Sequence, residues 1–184
     1  MTTQQPAARV DVLSGLPTGH HLGAFTLASW QSATAAAGAM SVVLVAVDDF
    51  ERYGDNYGPE AGEVLLQRAD AVIRASALSA ADRAGRLGRS GFLIILPGAT
   101  LDAAHIPAER ILRAVRDLEI PNRGSTVSNY VTVSIGAASC TPLPGDSLAT
   151  LIDAGTSALW TAKRRGRNRI AAFELSPSPI MAVG

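Results

Sequence analysis

The stretch Arg86-Leu87-Gly88-Arg89-Ser90-Gly91-Phe92, followed by the apolar run Leu93 to Leu96, predicts a β-hairpin with its tip at residues 88–91. Glycine permits the positive φ angles that a tight turn needs, so the turn by itself explains the presence of Gly88 and Gly91. The tip contains an arginine and a serine but no carboxylate. The sequence therefore predicts a hairpin that forms part of a sheet and has no acidic residue in its turn.

Helical and strand periodicities continue on both sides of this hairpin. They predict a helix from His21 to about Ala37, a strand over Ser41–Val47, a helix starting at Pro59, hairpin strands Asp82–Leu87 and Phe92–Leu96, a helix over Ala104–Leu118 with Pro107 in its first turn or at a kink, a strand over Val131–Ile135, a helix over Leu148–Ala162 and a short strand over Arg169–Phe173. This order predicts an α+β fold of the ferredoxin-like type, a central antiparallel sheet flanked by helices. We expect one domain over residues 13–174, with flexible ends at 1–12 and 175–184.

Composition narrows the function classes. The chain has 184 residues, of which 47% are hydrophobic and 17% charged, and 16 basic side chains balance 16 acidic ones. Zero net charge gives no electrostatic argument for nucleic acid. The apolar runs Met40–Val47 and Phe92–Leu96 are far shorter than the ~20 residues of a membrane helix. A lone cysteine, Cys140, excludes an internal disulfide. Met1–Val10 lacks the pattern of a signal peptide, so we expect a cytoplasmic protein.

Several motifs resemble those of the GGDEF family, the diguanylate cyclases that join two GTP molecules into cyclic di-GMP. Val131-Thr132-Val133-Ser134-Ile135-Gly136 matches a family strand residue for residue, and Ala158–Asn168 matches the family's Ala-Leu-Tyr-x-Ala-Lys-x-x-Gly-Arg-Asn with one aromatic exchange. Leu13–Pro17 resembles the family's N-terminal Leu-Thr-Gly-Leu-Pro. The resemblance covers about residues 13–173 and implies the same fold.

The resemblance also places the family's metal ligands, and here they are missing. The strand aspartate that binds metal falls on Ala46, the hairpin acid falls on Ser90, and the neighbouring acid falls on Gly91. A methyl group, a hydroxymethyl group and a hydrogen cannot hold a divalent cation as carboxylates do. We therefore expect no catalytic residue, no metal and no cofactor.

Nucleotide-binding positions are only partly kept. The asparagine that hydrogen-bonds guanine falls on Gly54, and the aspartate that reads the same base falls on Glu63. A family lysine beside the phosphates is replaced by Glu51, whereas the phosphate-binding pair of the last helix survives as Lys163 and Arg167. Cations near a helix C-terminus also interact favourably with the helix dipole, so Lys163 and Arg167 have a structural explanation as well.

The family's product-inhibition motif, Arg-x-x-Asp, corresponds here to Ser79-Ala80-Ala81-Asp82. Its arginine is replaced by Ser79 and its aspartate is retained as Asp82. A serine hydroxyl cannot replace the bidentate grip of a guanidinium, so we expect weak cyclic di-GMP binding at this motif.

Asp48 is the nearest acid that could substitute for the lost strand ligand. Ala46 and Asp48 share a strand face but stand roughly 6.5 to 7 Å apart along it. Metal–oxygen bonds of about 2.0 to 2.6 Å do not tolerate such a shift. We therefore interpret Asp48 as a structural acid at the strand end, and expect Asp49 and Glu51 to face solvent.

The favoured hypothesis is a catalytically inactive GGDEF-like domain, a regulatory or protein-interaction module of cyclic di-GMP signalling that retains weak binding of GTP or another nucleotide. Its expected partners are a second copy of itself or another protein. One alternative is an active cyclase with substituted metal ligands. Another is a ferredoxin-like domain that binds nucleic acid through the basic run around Arg164 and Arg165, although a solvated helix face is the usual explanation of such a run.

Overall fold

The computed structural model describes residues 20–76, 79 and 83–176, and these residues form five helices and five strands. The elements in chain order are α1 His20–Ala36, β1 Met40–Val47, α2 Phe50–Tyr57, α3 Pro59–Ala75, β2 Arg83–Leu87, β3 Gly91–Pro97, α4 Leu101–Asp117, β4 Val133–Cys140, α5 Leu148–Arg164 and β5 Ile170–Glu174. The α+β fold class predicted from the sequence is confirmed.

The sheet has the strand order β2-β3-β1-β4-β5. The first four strands pair antiparallel, as expected, but β4 and β5 pair in parallel, so the sheet is mixed. The reason is the connection between them: α5 crosses over the sheet and returns the chain in its original direction. β1 lies at the centre and every one of its 8 residues is buried.

The two faces of the sheet form two separate apolar cores. Alternate strand residues pack against α2, α3 and α4 on one face, and the intervening residues pack against α1 and α5 on the other. Val43 and Val45 belong to the first core, whereas Val42 and Leu44 belong to the second. Because helices cover both faces of β1, this central strand is apolar on both sides.

Three details differ from the sequence prediction. The short helix α2 was not predicted, and β4 starts at Val133 and continues to Cys140 instead of covering Val131–Ile135. Pro107 lies in the second turn of α4, not the first, and is buried there. α4 begins at Leu101 because the Thr100 side chain accepts a hydrogen bond from the Ala103 N–H.

Two glycines bring α5 directly onto the sheet. A Cβ atom on Gly136 of β4 would overlap the backbone of Gly155 and Leu159 in α5. A Cβ atom on Gly155 would lie 2.6 Å from a methyl group of Leu44. The close approach fixes where the C-terminal end of α5 lies relative to β1.

The expected flexible ends fall largely outside the described residues. Leu175, at the start of the expected tail, donates its backbone N–H to the carbonyl oxygen of Ser139 at 2.8 Å. Among the helices that the structure describes, none combines the length and apolarity needed to cross a bilayer.

The close contact between α5 and β4 gives a stability prediction. Gly136→Ala should lower the free energy of unfolding by about 1 to 3 kcal/mol, because the new methyl group forces helix and strand apart. Gly23→Ala is the control, since nothing lies within 4 Å of a Cβ atom at that exposed helical position. It should leave stability unchanged or raise it by up to about 1 kcal/mol. Urea denaturation of both variants checks this, and equal midpoints would contradict the packing argument.

Candidate functional site

Two neighbouring pockets lie where β1 ends, beside the hairpin of β2 and β3. The β1 pocket has a volume of about 280 Å³ and is lined by Val47, Asp48, Asp49, Phe50, Glu51, Arg52, Ser90, Lys163 and Arg167. The hairpin pocket has a volume of about 640 Å³ and is lined by Phe50, Glu51, Gly54, Asp55, Pro59, Gly62, Glu63, Arg86, Gly88 and Arg89. Because both include Phe50 and Glu51, the two pockets adjoin.

The three positions expected to have lost metal-binding acids lie together at the ends of β1 and β3. Ala46 pairs directly with Gly91 in the sheet, and the Val47 N–H donates to the Ser90 carbonyl oxygen at 3.0 Å. A side chain at Gly91 would also meet a steric obstacle, because its Cβ atom would lie 2.7 Å from the Leu87 carbonyl oxygen. The tertiary structure thus brings an alanine, a serine and a glycine to one place.

Asp48 is buried beside these positions, with 2% of its surface exposed. Its carboxylate accepts three hydrogen bonds: Oδ1 from the Ser134 hydroxyl at 2.6 Å, and Oδ2 from the Thr132 hydroxyl at 2.8 Å and the Asn168 N–H at 3.1 Å. Both oxygens are therefore engaged within the protein. This geometry agrees with the interpretation of Asp48 as a structural acid.

Asp49 differs from the expectation that it faces solvent, because only 9% of its side chain is exposed. Its Oδ2 accepts hydrogen bonds from the N–H and the hydroxyl of Thr126, both at 2.8 Å, and its Oδ1 lies 3.8 Å from Nε of Arg167. Burial alone would raise the pKa of this carboxyl. The Thr126 donors, with the nearby charges of Arg167 and Arg52, outweigh it and lower the pKa below its ordinary value.

Strand alternation could not predict the position of Asp49, because β1 ends before it. Asp49 has a φ of 50°, in the left-handed region, and there the chain turns from the strand into α2. Aspartate is one of the few non-glycine residues that adopt this conformation readily. Thr126, its partner, lies 77 residues away in a loop, and no periodic signal in the sequence links the two.

The two surviving phosphate-binding candidates are brought together. Lys163 lies in the last turn of α5 and Arg167 in the turn after it, and both line the β1 pocket. Arg167 is 40% exposed at its side chain, so its guanidinium can contact a ligand. Together with Arg52, these two residues give the pocket three cationic side chains that could face an anion.

The base-reading candidates line the other pocket. Gly54 contributes no side chain there, and Glu63 lies with its carboxylate 3.8 Å from the Arg86 guanidinium. The Glu63 side chain is 53% exposed. An acid already facing an arginine offers less hydrogen-bonding capacity to a base.

Only Ser79 of the segment aligned with the family's inhibition motif, residues 79–82, lies within the described residues. Ser79 is exposed and lines neither pocket, whereas Asp82 lies outside the described residues. The expectation for cyclic di-GMP at this motif stays a prediction.

The donor set does not fit a divalent metal. Among residues 20–76, 79 and 83–176, no three histidine, cysteine, aspartate or glutamate side chains are grouped as metal ligands. Ala46 and Gly91 have no donor atoms in their side chains, and the Asp48 carboxylate is occupied by protein donors. We therefore derive no metal-dependent step for this site.

Comparison with known proteins places these observations in a family. The sequence profile described as "Diguanylate cyclase, GGDEF domain" matches residues 8–169. The chain belongs to the GGDEF family. The resemblance carried by residues 131–136 and 158–168 is thus confirmed over nearly the whole GGDEF domain.

Curated relatives are longer proteins. Diguanylate cyclase A of Treponema denticola is 31% identical over 131 residues, which cover 71% of this chain and 34% of that protein. Diguanylate cyclase DgcS of Shewanella oneidensis is 28% identical over 174 residues, which cover 94% of this chain and 54% of that protein. This chain therefore spans between about a third and about half of the length of these relatives.

Solved structures agree on the fold. The GGDEF domain of DgcB from Caulobacter crescentus, in complex with c-di-GMP, has a TM-score of 0.80 at 24% identity, covering 93% of this chain and 98% of that one. The FimX GGDEF domain from Pseudomonas aeruginosa has a TM-score of 0.73 at 19% identity, covering 95% of this chain and 100% of that one. Both likenesses show the architecture of the domain.

The lowered pKa of Asp49 predicts a pH-dependent contribution to stability. A depressed pKa in the folded state stabilises above the unfolded value, near pH 4, and this contribution is lost as the pH falls through the folded value. Asp49→Asn should lower the free energy of unfolding by about 1 to 3 kcal/mol at pH 7, because the hydrogen bonds that Thr126 donates lose their charge assistance.

The difference between this variant and the parent should shrink below about pH 4. Urea denaturation at pH 7 and pH 3 measures it, with the exposed Asp153 as the control through Asp153→Asn. An Asp49→Asn effect that is equally large at both pH values would contradict the role of the charge.

Proposed function

We propose that this GGDEF domain is catalytically inactive and works as a regulatory or protein-interaction module in cyclic di-GMP signalling, with residual nucleotide binding directed at phosphate. The observation that carries the proposal is the convergence of Ala46, Ser90 and Gly91 at the place where the family resemblance puts metal-binding acids. The cytoplasm is the compartment that we propose.

The chemistry explains why this loss is decisive. Joining two nucleotides requires a ribose hydroxyl to be activated and charge on the reacting phosphate to be stabilised. Divalent metal held by carboxylates supplies both effects, worth several kcal/mol in the transition state. A site that cannot hold the metal loses both effects together.

An active cyclase with substituted ligands is the first alternative. The nearest acids are Asp48 and Asp49, and both are engaged by protein donors, Asp48 by three and Asp49 by Thr126. Binding metal through either would require breaking contacts that hold the local fold. Glu51 lines both pockets but is a single carboxylate. These facts favour inactivity.

Nucleic-acid binding is the second alternative, and it has less support. The chain carries zero net charge, whereas nucleic-acid-binding domains are usually basic. Arg164 stacks on the exposed Trp160, with 4.4 Å between the guanidinium carbon and the ring centroid. One face of that ring is therefore occupied by a side chain of the same helix.

The exposed side chains of the hairpin region favour a protein partner there. Leu87 is 45% exposed at the end of β2, and Arg89 is exposed at the hairpin tip. Without the acids of the family hairpin, a second copy or another protein would meet less like-charge repulsion there. Among proteins of similar fold, diguanylate cyclase SiaD from Pseudomonas aeruginosa was solved in complex with its activator SiaC.

Catalytic inactivity is directly testable. Purified protein incubated with GTP and magnesium or manganese should make no cyclic di-GMP above background, because no carboxylate stands at the three converging positions. Chromatography of the products measures this, and an active relative assayed in parallel is the positive control. Product that disappears when the protein is denatured would overturn the proposal.

Residual nucleotide binding should depend on phosphate and little on the base. Arg167→Ala should weaken GTP and ATP by a comparable amount, about 1.5 to 3 kcal/mol, because the same charge-assisted contacts are lost. Arg165→Ala is the matched control, since Arg165 is exposed and lines neither pocket. Calorimetry without metal at two salt concentrations measures affinity, which should fall as salt rises. A strong preference for GTP, or binding unaffected by Arg167→Ala, would contradict this site.

A further inference from the structure

The turn after α5 has an unusual backbone. Gly166, Arg167 and Asn168 follow one another with φ angles of 109°, 59° and 48°. Two consecutive non-glycine residues in the left-handed region are unfavourable, because their Cβ atoms crowd the backbone. Such a turn persists only where the surrounding structure holds it. Arg167, one of the three cations that line the β1 pocket, is in this turn.

Contacts from separate elements hold the turn. The Asn168 N–H donates to Oδ2 of Asp48 at 3.1 Å, and the Arg167 N–H donates to the Ala162 carbonyl oxygen at 3.1 Å. On the outer side, Nε of Arg116 donates to Oδ1 of Asn168 at 2.9 Å. The Arg116 contact is exposed to solvent, whereas the Asp48 carboxylate is buried. Water therefore competes less with the Asp48 contact than with the Arg116 contact.

Asp48 is itself held in one orientation. The Ser134 hydroxyl fixes one oxygen and the Thr132 hydroxyl fixes the other. The Asp48 N–H also donates to the Thr132 carbonyl oxygen at 2.9 Å, which ties its backbone to the segment leading into β4. A carboxylate locked at both oxygens places the Asn168 amide at a defined position.

We propose that Asp48 is a positioning residue for anion binding: its buried carboxylate fixes the left-handed turn at Asn168 and thereby directs the Arg167 guanidinium into the pocket shared with Lys163. This inference rests on the proposed phosphate-directed binding and names the group that makes the site competent. Asp48 contacts the backbone beside Arg167 and acts on a ligand only through that residue.

Asp48 can accept all three hydrogen bonds because its carboxylate is charged and has two acceptor oxygens. Its donors are a backbone N–H at the turn, the Ser134 hydroxyl on β4 and the Thr132 hydroxyl just before β4. An asparagine has one acceptor oxygen and replaces the second acceptor with an amide donor. Asp48→Asn keeps the size of the side chain, but its amide either turns an NH2 group toward the Asn168 N–H or keeps that bond with an uncharged and weaker acceptor, so the turn is loosened with little change in packing.

The test uses the full chain with inorganic triphosphate as a metal-free probe. Asp48→Asn should weaken triphosphate binding about tenfold by calorimetry, and should speed hydrogen exchange of the Asn168 amide measured by NMR. Asp153→Asn is the control, because it makes the same substitution at an exposed position of α5 that lines neither pocket. It should change affinity and exchange by less than about twofold. Equal effects of the two variants would overturn the proposal.

A double-variant cycle separates positioning from general destabilisation. If Asp48 acts through Arg167, then Asp48→Asn combined with Arg167→Ala should bind triphosphate no more weakly than Arg167→Ala alone. Additive losses would overturn the proposal. If Asp48→Asn does not fold, Thr132→Val takes its place in the same cycle, because it removes the hydroxyl that shares Oδ2 with Asn168.

Failure of the proposed function gives a different result from failure of this inference. A parent chain that does not bind triphosphate contradicts residual nucleotide binding. Triphosphate binding by the parent chain that Asp48→Asn leaves unchanged overturns this inference alone, and so does unchanged exchange of the Asn168 amide.

Discussion

The carboxylate of Asp48 joins three parts of the chain that are far apart in sequence. It lies one residue beyond the central strand β1, and its partners are two hydroxyls 84 and 86 residues later and a backbone amide 120 residues later. A buried charge is tolerated only when such donors satisfy it. The end of β1, the start of β4 and the turn after α5 are therefore held in one arrangement. The β1 pocket is lined by residues from the end of β1 and from the turn after α5, together with Ser90 and Lys163.

On the proposed function, this neighbourhood has lost one chemistry and kept part of another. Metal binding depends on side-chain oxygens at fixed places, and replacing them with Ala46 and Gly91 removes those oxygens completely. Phosphate binding depends on cations whose positions come from the backbone of α5 and its following turn. Because Gly136 and Gly155 still let α5 lie against the sheet, Lys163 and Arg167 keep their places.

Acidic residues now compete with any anion in the β1 pocket. Asp49 pairs with Arg167 across 3.8 Å, and Glu51 lines the pocket where the family resemblance implies a lysine. The Asp49 carboxylate is also held by Thr126, so it does not simply move aside when a phosphate approaches. This balance is the physical reason to expect modest affinity, and it is consistent with a module whose main contacts are with another protein.

The sequence by itself determined the hairpin, the strand-helix order and the family, because each depends on local spacing: alternating apolar residues, helical stripes and the runs at 131–136 and 158–168. Through the family resemblance, the sequence also predicted that Ala46, Ser90 and Gly91 occupy the positions of the family's acidic residues. It missed α2, since eight residues containing Gly54 and Asn56 carry little helical signal and depend on the packing of Tyr53. Only the tertiary structure decided the parallel pairing of β5, the burial of Asp49 against Thr126 and the hold of Asp48 on Asn168. These are contacts between residues tens of positions apart, and they are set by how helices and strands pack, which no local pattern encodes.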